Sequence, residues 1–211
     1  MSKHIANLIS QGEHQRLDFK HSISDSKKIA RSLAAFANTS GGILLIGVKD
    51  NGNVAGVNSE EEYYMLEAAA QMYSKPEVKF NVTRWDINKK VVLEVVVRPD
   101  PKNLYKAPDK NGKWKVFFRV DDENIIATPL QVKVWNAIRY RKALRVELSH
   151  KEQVLIDYLK EHNRITVNQY CKVGFLPLKQ AENILVNLAV LGIVDLRLEK
   201  DIEYFKLKEI T

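Results

Sequence analysis

The stretch of residues 27–57, KKIARSLAAFANTSGGILLIGVKDNGNVAGV, limits most strongly what this chain can fold into. Apolar residues recur on one helical face over its first part, and the pair Gly41 and Gly42 follows where the helix is predicted to end. Residues 43–48 are almost uninterrupted apolar sequence, which predicts a strand covered on both faces. Asp50-Asn51-Gly52 predicts a tight turn, and residues 53–57 are predicted to return as a second strand.

The segments on either side of this stretch add further helices and strands. They predict helices at 3–11 and 59–73, an edge strand within 13–21, paired strands at 78–85 and 90–98 around a turn at 86–88, a loop at 99–108 and a strand at 114–120. Alternation in the edge strand places Asp18 and Lys20 on the face opposite Leu17 and Phe19. Together these elements predict an α+β domain with a mixed sheet and packed helices.

After residue 128 the pattern is mainly helical. Pro129 stands at the favoured first position of a helix predicted to run to about residue 144, which we interpret as a bridge between domains. Ser149-His150-Lys151-Glu152 is a capping box, and two further helices and two alternating segments, 193–198 and 202–207, follow it. This order predicts a winged helix, so we expect domains at 1–128 and 148–211 joined by a bridge helix at 129–147.

Three motifs in the first domain resemble those of a known family, and they occur in the same order. AFANTSGG followed by GVKDNGNVAGV closely resembles the signature of the Schlafen AlbA-like domain, EHQRLDFK at 13–20 resembles its acidic segment, and KVFFRV at 115–120 resembles its late strand. Members are described as DNA-binding domains or divergent AAA-type ATPases. With a winged helix after it, the resemblance implies a transcriptional regulator of bacterial type.

The charge distribution indicates an anionic partner. The chain of 211 residues carries a formal net charge of +7, and residues 1–147 hold that excess, because residues 148–211 contain 9 basic and 9 acidic side chains. A single cysteine, Cys171, excludes an internal disulfide and a cysteine-based zinc cluster. Without a long apolar run or a signal-peptide pattern, we expect a cytoplasmic protein that does not bind membranes.

Nucleic acid, with duplex DNA favoured, is the partner that this charge predicts. The candidate phosphate contacts of the first domain are Lys49, Lys102, Lys106, Lys113, Lys115 and Arg119, with Tyr105 and Trp114 available for stacking on bases. The bridge helix adds Arg139, Arg141, Lys142 and Arg145. The third helix of a winged helix enters the major groove, which makes its outward residues candidates: Lys179, Gln180, Asn183 and Asn187. The balanced charge of this region leaves protein binding or homodimer formation open.

A second hypothesis joins the carboxylates of Glu13, Asp18 and Asp50. Oxygen ligands of this kind hold Mg²⁺ or Mn²⁺, which could activate water for phosphodiester cleavage, while Lys20 neutralises phosphate charge. The resemblance assigns the catalytic carboxylates of nuclease members to the same positions, although Asp18 stands where glutamate is more usual. The alternative is that Asp18 and Lys20 form a solvated surface pair and that Asp50 serves only its turn.

These patterns leave three functions open. A DNA-binding transcriptional regulator is preferred, a metal-dependent nuclease is the first alternative and a protein-binding adaptor is the second. No cofactor is expected unless the chain is a nuclease, because its glycines match neither GxxxxGK[ST] nor a GxGxxG that opens a helix.

Overall fold

Residues 3–140, 149–199 and 202–208 are described by the computed structural model, and the chain divides into two units, Met1–Ala127 and Thr128–Thr211. Unit 1 contains α1 Lys3–Gln11, β1 Leu17–Lys20, α2 Ser26–Asn38, β2 Gly42–Ile46, α3 Ser59–Gln71, β3 Phe80–Ile87, β4 Lys90–Val97, β5 Lys106–Pro108, β6 Trp114–Val120 and β7 Glu123–Ile126. Unit 2 contains α4 Pro129–Arg139, α5 His150–His162, α6 Val167–Val173, α7 Leu178–Val190, β8 Val194–Glu199 and β9 Ile202–Leu207.

Helix α2 forms where its periodicity predicts, and local chemistry fixes both of its ends. The Asp25 side chain caps its start by accepting a hydrogen bond from the Lys27 backbone N–H at 2.8 Å. At its end the Gly41 N–H donates to the Phe36 carbonyl, and Gly41 has a φ of +68°, a conformation that glycine adopts without steric cost. A Cβ at Gly42 would lie 2.4 Å from the Phe36 ring, so this glycine lets β2 pass close to the helix.

The central sheet of unit 1 has the strand order β1-β2-β4-β3, in which β1 is parallel to β2 and the other neighbours are antiparallel. Strand β2 is covered on both faces, as its apolar run predicts. Leu44 and Ile46 belong to the core formed with α2 and α3, whereas Leu45 belongs to a second core with α1. This mixed sheet with its packed helices confirms the α+β prediction.

The prediction of a strand at residues 53–57 is wrong. A single bridge joins Val48 to Val54, and the N–H groups of Ala55 and Gly56 then both donate to the Gly47 carbonyl. Gly47 and Gly56 have φ values of +97° and +81°, which turn the chain out of the extended conformation. The segment is therefore a loop held against the end of β2.

Three other features of unit 1 differ from the sequence prediction. Strands β5 and β7 were not expected, because at 3 and 4 residues they are too short to show alternation. They pair with β6 to form a second sheet in the order β5-β6-β7. The turn between β3 and β4 lies at Asn88 and Lys89, since the strands stay paired through Ile87 and Lys90.

Unit 2 consists of helices around one core, followed by the β8–β9 hairpin. Capping boxes at Thr128, Ser149 and Thr166 begin α4, α5 and α6. The segment before α6 adds a bridge between Ile165 and Phe205, so it lies beside the hairpin. Helix α4, interpreted from sequence as a bridge, packs against α7, and Val134 belongs to the core of this unit. None of the helices among the described residues is long and apolar enough to cross a membrane.

Candidate nucleic-acid interface

Asp18 is the centre of a buried polar cluster in unit 1, not part of a solvated surface pair. It lies on β1 and is 2% exposed. Its carboxylate lies 2.9 Å from the Lys20 Nζ and 3.4 Å from the nearest guanidinium nitrogen of Arg119, and the Ser32 Oγ donates to it at 3.4 Å. The surface-pair interpretation is wrong because α2 and β6 bring a hydroxyl and a cation over this face of the strand.

Arg119 completes the buried cluster, and its proposed contact with nucleic acid is wrong. The side chain is 1% exposed. Its terminal nitrogens donate to the Asn124 Oδ1 at 3.2 Å and to the Leu17 carbonyl at 3.3 Å, and its guanidinium lies 5.3 Å from the centre of the Phe36 ring. Buried arginine neutralises buried carboxylate here, so this cation is not available to phosphates.

Glu13 lies beside Asp18, and the two carboxyl groups interact. The Glu13 Oε1 accepts a hydrogen bond from the Phe19 backbone N–H at 2.8 Å and lies 3.9 Å from the Lys20 Nζ. Burial raises the pKa of Glu13, and the neighbouring Asp18 raises it further. The structure therefore brings together Glu13, Asp18 and Lys20 of the predicted catalytic set.

Asp50 is exposed at the start of its turn, and no contact joins its carboxylate to Glu13 or Asp18 in the described part of the chain. No group of three or more His, Cys, Asp and Glu side chains among the described residues is arranged to hold a metal ion. The Asp18 carboxylate is already neutralised by Lys20 and Arg119. This arrangement does not fit Mg²⁺ or Mn²⁺, so the nuclease hypothesis stays a prediction from the sequence.

A second buried polar residue, Asn38, connects α2 to the three-stranded sheet of β5, β6 and β7. Its Nδ2 donates to the carbonyls of Tyr105 and Phe117 at 2.8 and 2.9 Å, and its Oδ1 accepts from the Tyr105 N–H at 2.7 Å. Tyr105 is 5% exposed and donates its hydroxyl to Asp100 at 2.7 Å. The expectation that Tyr105 stacks on bases is therefore wrong, because its ring is part of the core.

Four of the exposed lysines of unit 1 lie on the β5–β6 hairpin and on the residue that pairs with it. We call this set the hairpin surface: Lys75, Lys106, Lys113, Trp114 and Lys115. All five side chains are exposed, Trp114 at 37%. The Lys75 Nζ lies 4.2 Å from the centre of the Trp114 ring, a cation–π contact, and Lys75 pairs through its backbone with Lys106.

The lysines of the hairpin surface form no ion pair with any acid among the described residues. Asp109, which is close in sequence, accepts hydrogen bonds from the backbone N–H groups of Asn111 and Lys113 at 2.8 Å. The Lys113 N–H is the main cause that lowers the pKa of Asp109. The two other predicted contacts, Lys49 and Lys102, are exposed but lie in other loops.

Sequence reasoning missed Lys75 as a member of this surface. It lies 31 positions before Lys106 in the chain, and only the pairing of their backbones brings the two together. No local pattern of residues 71–79 indicates this pairing. The cation–π contact with Trp114 depends on it, since Trp114 lies on the strand that pairs with Lys106.

In unit 2 the candidate residues on α7 have different surroundings. Lys179 and Gln180 are exposed near its start, and Asn187 is half-buried. Asn183 is exposed, but its Oδ1 accepts a hydrogen bond from the Lys133 Nζ of α4 at 3.0 Å. Arg139 ends α4 with its guanidinium 5.0 Å from the Tyr140 ring centre. The other basic candidates of the bridge, Arg141, Lys142 and Arg145, lie outside the described residues.

Solved structures with distant similarity to the chain include a Corynebacterium protein and a Nitrosomonas domain. The DIP2311 protein from Corynebacterium diphtheriae is 16% identical with a TM-score of 0.46, and the match covers 64% of this chain and 32% of that protein. The N-terminal domain of a RecG-related protein from Nitrosomonas europaea is 19% identical with a TM-score of 0.40, and the match covers 69% of this chain and 95% of that domain. The chain thus corresponds to about a third of the Corynebacterium protein.

No curated protein matches the chain. A family model described as Schlafen, AlbA_2 matches residues 13–128, which include β1 with its acidic segment, the glycine pair after α2 and all of β6. The match covers more than half of the chain, and the chain therefore belongs to the Schlafen AlbA_2 family.

Proposed function

We propose that this protein binds nucleic acid, with duplex DNA as the partner, through the hairpin surface of unit 1. The observation that carries the proposal is a group of unpaired lysines around a partly exposed tryptophan. Unpaired lysines are free to neutralise phosphates and to release counterions, which supplies most of the affinity of non-specific binding. Membership of the AlbA_2 family agrees with this proposal.

The hairpin presents lysines on both of its faces, because Lys115 is opposite Ala107 and lies on the face away from Lys106 and Trp114. In the β5–β6 register Lys106 is opposite Val116 and Pro108 is opposite Trp114, so Lys106 and Trp114 are on the same face of the pair. Lys75 lies over the indole and extends the positive charge on this face. An exposed indole next to cations also suits stacking on an unpaired base, so single strands are a natural comparison in any binding assay.

For unit 2 we propose a winged helix that orients the protein on DNA, as in a transcriptional regulator. Three helices, α5 to α7, precede a two-stranded hairpin, and Lys179 and Gln180 are exposed at the start of α7. This is the end of the helix that contacts bases in helix-turn-helix proteins. Because the acidic and basic residues of positions 148–211 balance, we assign most of the binding free energy to unit 1.

Fluorescence anisotropy with labelled duplex DNA, single-stranded DNA and single-stranded RNA tests the proposal. We expect duplex DNA to bind, and Lys75→Gln/Lys106→Gln/Lys115→Gln to weaken binding by at least about tenfold at low salt. The matched control is Lys3→Gln/Lys28→Gln/Lys89→Gln, which removes the same charge from exposed positions elsewhere in unit 1.

Each other outcome contradicts a part of the proposal. Equal weakening by the control variant would show that net charge, not the hairpin surface, determines affinity. No binding of any nucleic acid by the wild type would favour the adaptor. Cleavage of the probe only with Mn²⁺ would favour the nuclease. Loss of that cleavage in Asp50→Asn would then show that the Asp50 carboxylate takes part, although it does not contact Glu13 or Asp18 in the described part of the chain.

A further inference from the structure

A pocket of unit 1 that is separate from the hairpin surface lies at one end of the central sheet. It has a volume of about 350 Å³, which falls within the usual range for small-ligand sites. Three apolar side chains that line it, Leu17, Ile43 and Val96, follow one another across β1, β2 and β4, because Leu17 pairs with Ile43 and Ile43 pairs with Val96. Ile43 and Val96 are half-buried and form an apolar floor, with the buried Leu17 beside them.

Two arginines line the same pocket from the strands on either side of β2. Arg16 comes directly before β1 and Arg98 comes directly after β4, and the first residue of β2, Gly42, lies between them. Gly42 pairs with Val97, and the Ile43 N–H donates to the Arg16 carbonyl at 2.8 Å. Neighbouring strands are about 5 Å apart, so the two arginine backbones are about 10 Å apart and their long side chains can reach one anion.

Neither guanidinium group forms an ion pair or a side-chain hydrogen bond with any residue in the described parts of the chain. Both arginines are exposed. The acids closest in sequence are engaged elsewhere: Glu13 accepts the Phe19 N–H, and Asp100 accepts hydrogen bonds from Lys102, Asn103 and Tyr105. The pocket therefore keeps two unpaired positive charges next to an apolar surface.

We infer that this pocket binds a phosphomonoester that carries a nucleoside, with the phosphate between Arg16 and Arg98 and the base or sugar on the apolar floor. One guanidinium group can donate two parallel hydrogen bonds to two phosphate oxygens, and a lysine ammonium group does not reproduce this geometry. The apolar floor distinguishes this site from a simple cationic surface. It adds nothing to the affinity for inorganic phosphate, but it adds to the affinity for a phosphomonoester whose base or sugar lies on it. The ligand comes from one of two sources, a free mononucleotide or the 5′-phosphate end of an oligonucleotide.

Isothermal titration of the full chain with AMP and with inorganic phosphate tests the pocket. We expect AMP to bind more tightly than phosphate, and Arg16→Gln/Arg98→Gln to weaken AMP by at least about tenfold. Arg16→Lys/Arg98→Lys keeps both charges and should recover only part of the affinity. The control is Lys79→Gln/Arg84→Gln, which removes the same charge at the other edge of the sheet and should bind AMP like the wild type.

Oligonucleotides with and without a 5′-phosphate separate the two sources. A wild-type preference for the phosphorylated end that Arg16→Gln/Arg98→Gln abolishes would identify the chain end, whereas AMP binding without that preference would identify the free nucleotide. The inference would be overturned if the wild type binds neither AMP nor the phosphorylated end. It would also be overturned if a folded Arg16→Gln/Arg98→Gln variant binds as the wild type does. Because the hairpin surface is intact in this variant, salt-dependent binding of DNA without a 5′-phosphate should persist, and the two proposals fail separately.

Discussion

Strand β6 carries cations in two contrasting environments. Arg119 is 3% exposed and contacts Asp18, whereas Lys115, four positions earlier on the same strand, is exposed and without an ion pair among the described residues. The buried arginine is surrounded by partners from β1, α2 and β7. At the other end the strand belongs to a short hairpin that only partly covers it.

This difference shows that residues of the family motifs need not belong to the proposed binding surface. The segment KVFFRV includes both Lys115 and Arg119, and from sequence both were assigned to nucleic acid. Asp18, Asn38 and Arg119, each within a motif or next to one, hold helices and sheets of unit 1 together. The lysines that we propose as contacts form no ion pair with any acid in the described part of the chain, so their charges are free to act on a partner.

The largest effect is expected for the buried end of β6. Arg119→Met should lower the free energy of unfolding of unit 1 by about 3–5 kcal/mol, because it leaves the buried Asp18 carboxylate with Lys20 as the one cation that contacts it among the described residues. Hydrogen exchange of the β2 amides in the full chain measures this, since β2 lies inside the sheet. Lys115→Met on the same strand is the control, and we expect a change within about 0.5 kcal/mol. Equal losses from both substitutions would remove the contrast between the two ends.

Asn38 gives the next largest effect. Asn38→Ala removes three hydrogen bonds to Tyr105 and Phe117 and leaves their backbone groups buried without partners, so we expect a loss of about 3 kcal/mol by the same exchange measurement. Asn103→Ala is the matched control, because that amide is exposed and donates to the Asp100 side chain at the surface, not to buried backbone groups. A loss below about 1 kcal/mol for Asn38→Ala would mean that the second sheet does not depend on this connection.

A pH dependence follows from Tyr105, which lies in the same buried region. Burial, followed by the hydrogen bond to the Asp100 carboxylate, raises the pKa of Tyr105 from 10.0 to about 12. Because the folded state holds the proton that the unfolded state releases, this contribution is complete below about pH 10 and is lost as the pH rises to about 12.

We therefore expect the stability difference between the wild type and Tyr105→Phe to decrease over that interval, as measured by urea unfolding at a series of pH values. Lysine titration affects both proteins alike and cancels in the difference. A difference that stays constant up to pH 12 would indicate that folding does not raise the pKa of Tyr105.

Much of the fold could be predicted from sequence because it depends on local chemistry. The start of α2 at Asp25, its end before Gly41 and the capping boxes at Ser149 and Thr166 are all determined within a few residues. The apolar run of β2 likewise indicated a strand covered on both faces. The loop at 53–57 was mistaken for a strand because its valines are compatible with either structure. The positive φ angles of Gly47 and Gly56 turn the backbone out of the extended conformation.

The site could be predicted less well because it depends on contacts between distant residues. Asp18 and Arg119 are 101 positions apart, and a charged residue on an edge strand is ordinarily exposed, so nothing local indicates their burial together. Arg16 and Arg98 were not singled out from sequence, since only the register of β1, β2 and β4 places them around Gly42. Lys106, Lys113 and Lys115 were proposed from sequence because charge density along the chain is itself a local signal, and their role stays a prediction.

The salt dependence of duplex DNA binding tests the central claim most directly. For a Lys106→Gln/Lys115→Gln variant, we predict a slope of log Kobs against log[salt] about 2 units shallower than for the wild type, because each lysine that neutralises a phosphate contributes about 0.9. Stability should stay within about 0.5 kcal/mol of the wild type. An unchanged slope in a folded variant would contradict the assignment of the hairpin surface to nucleic acid.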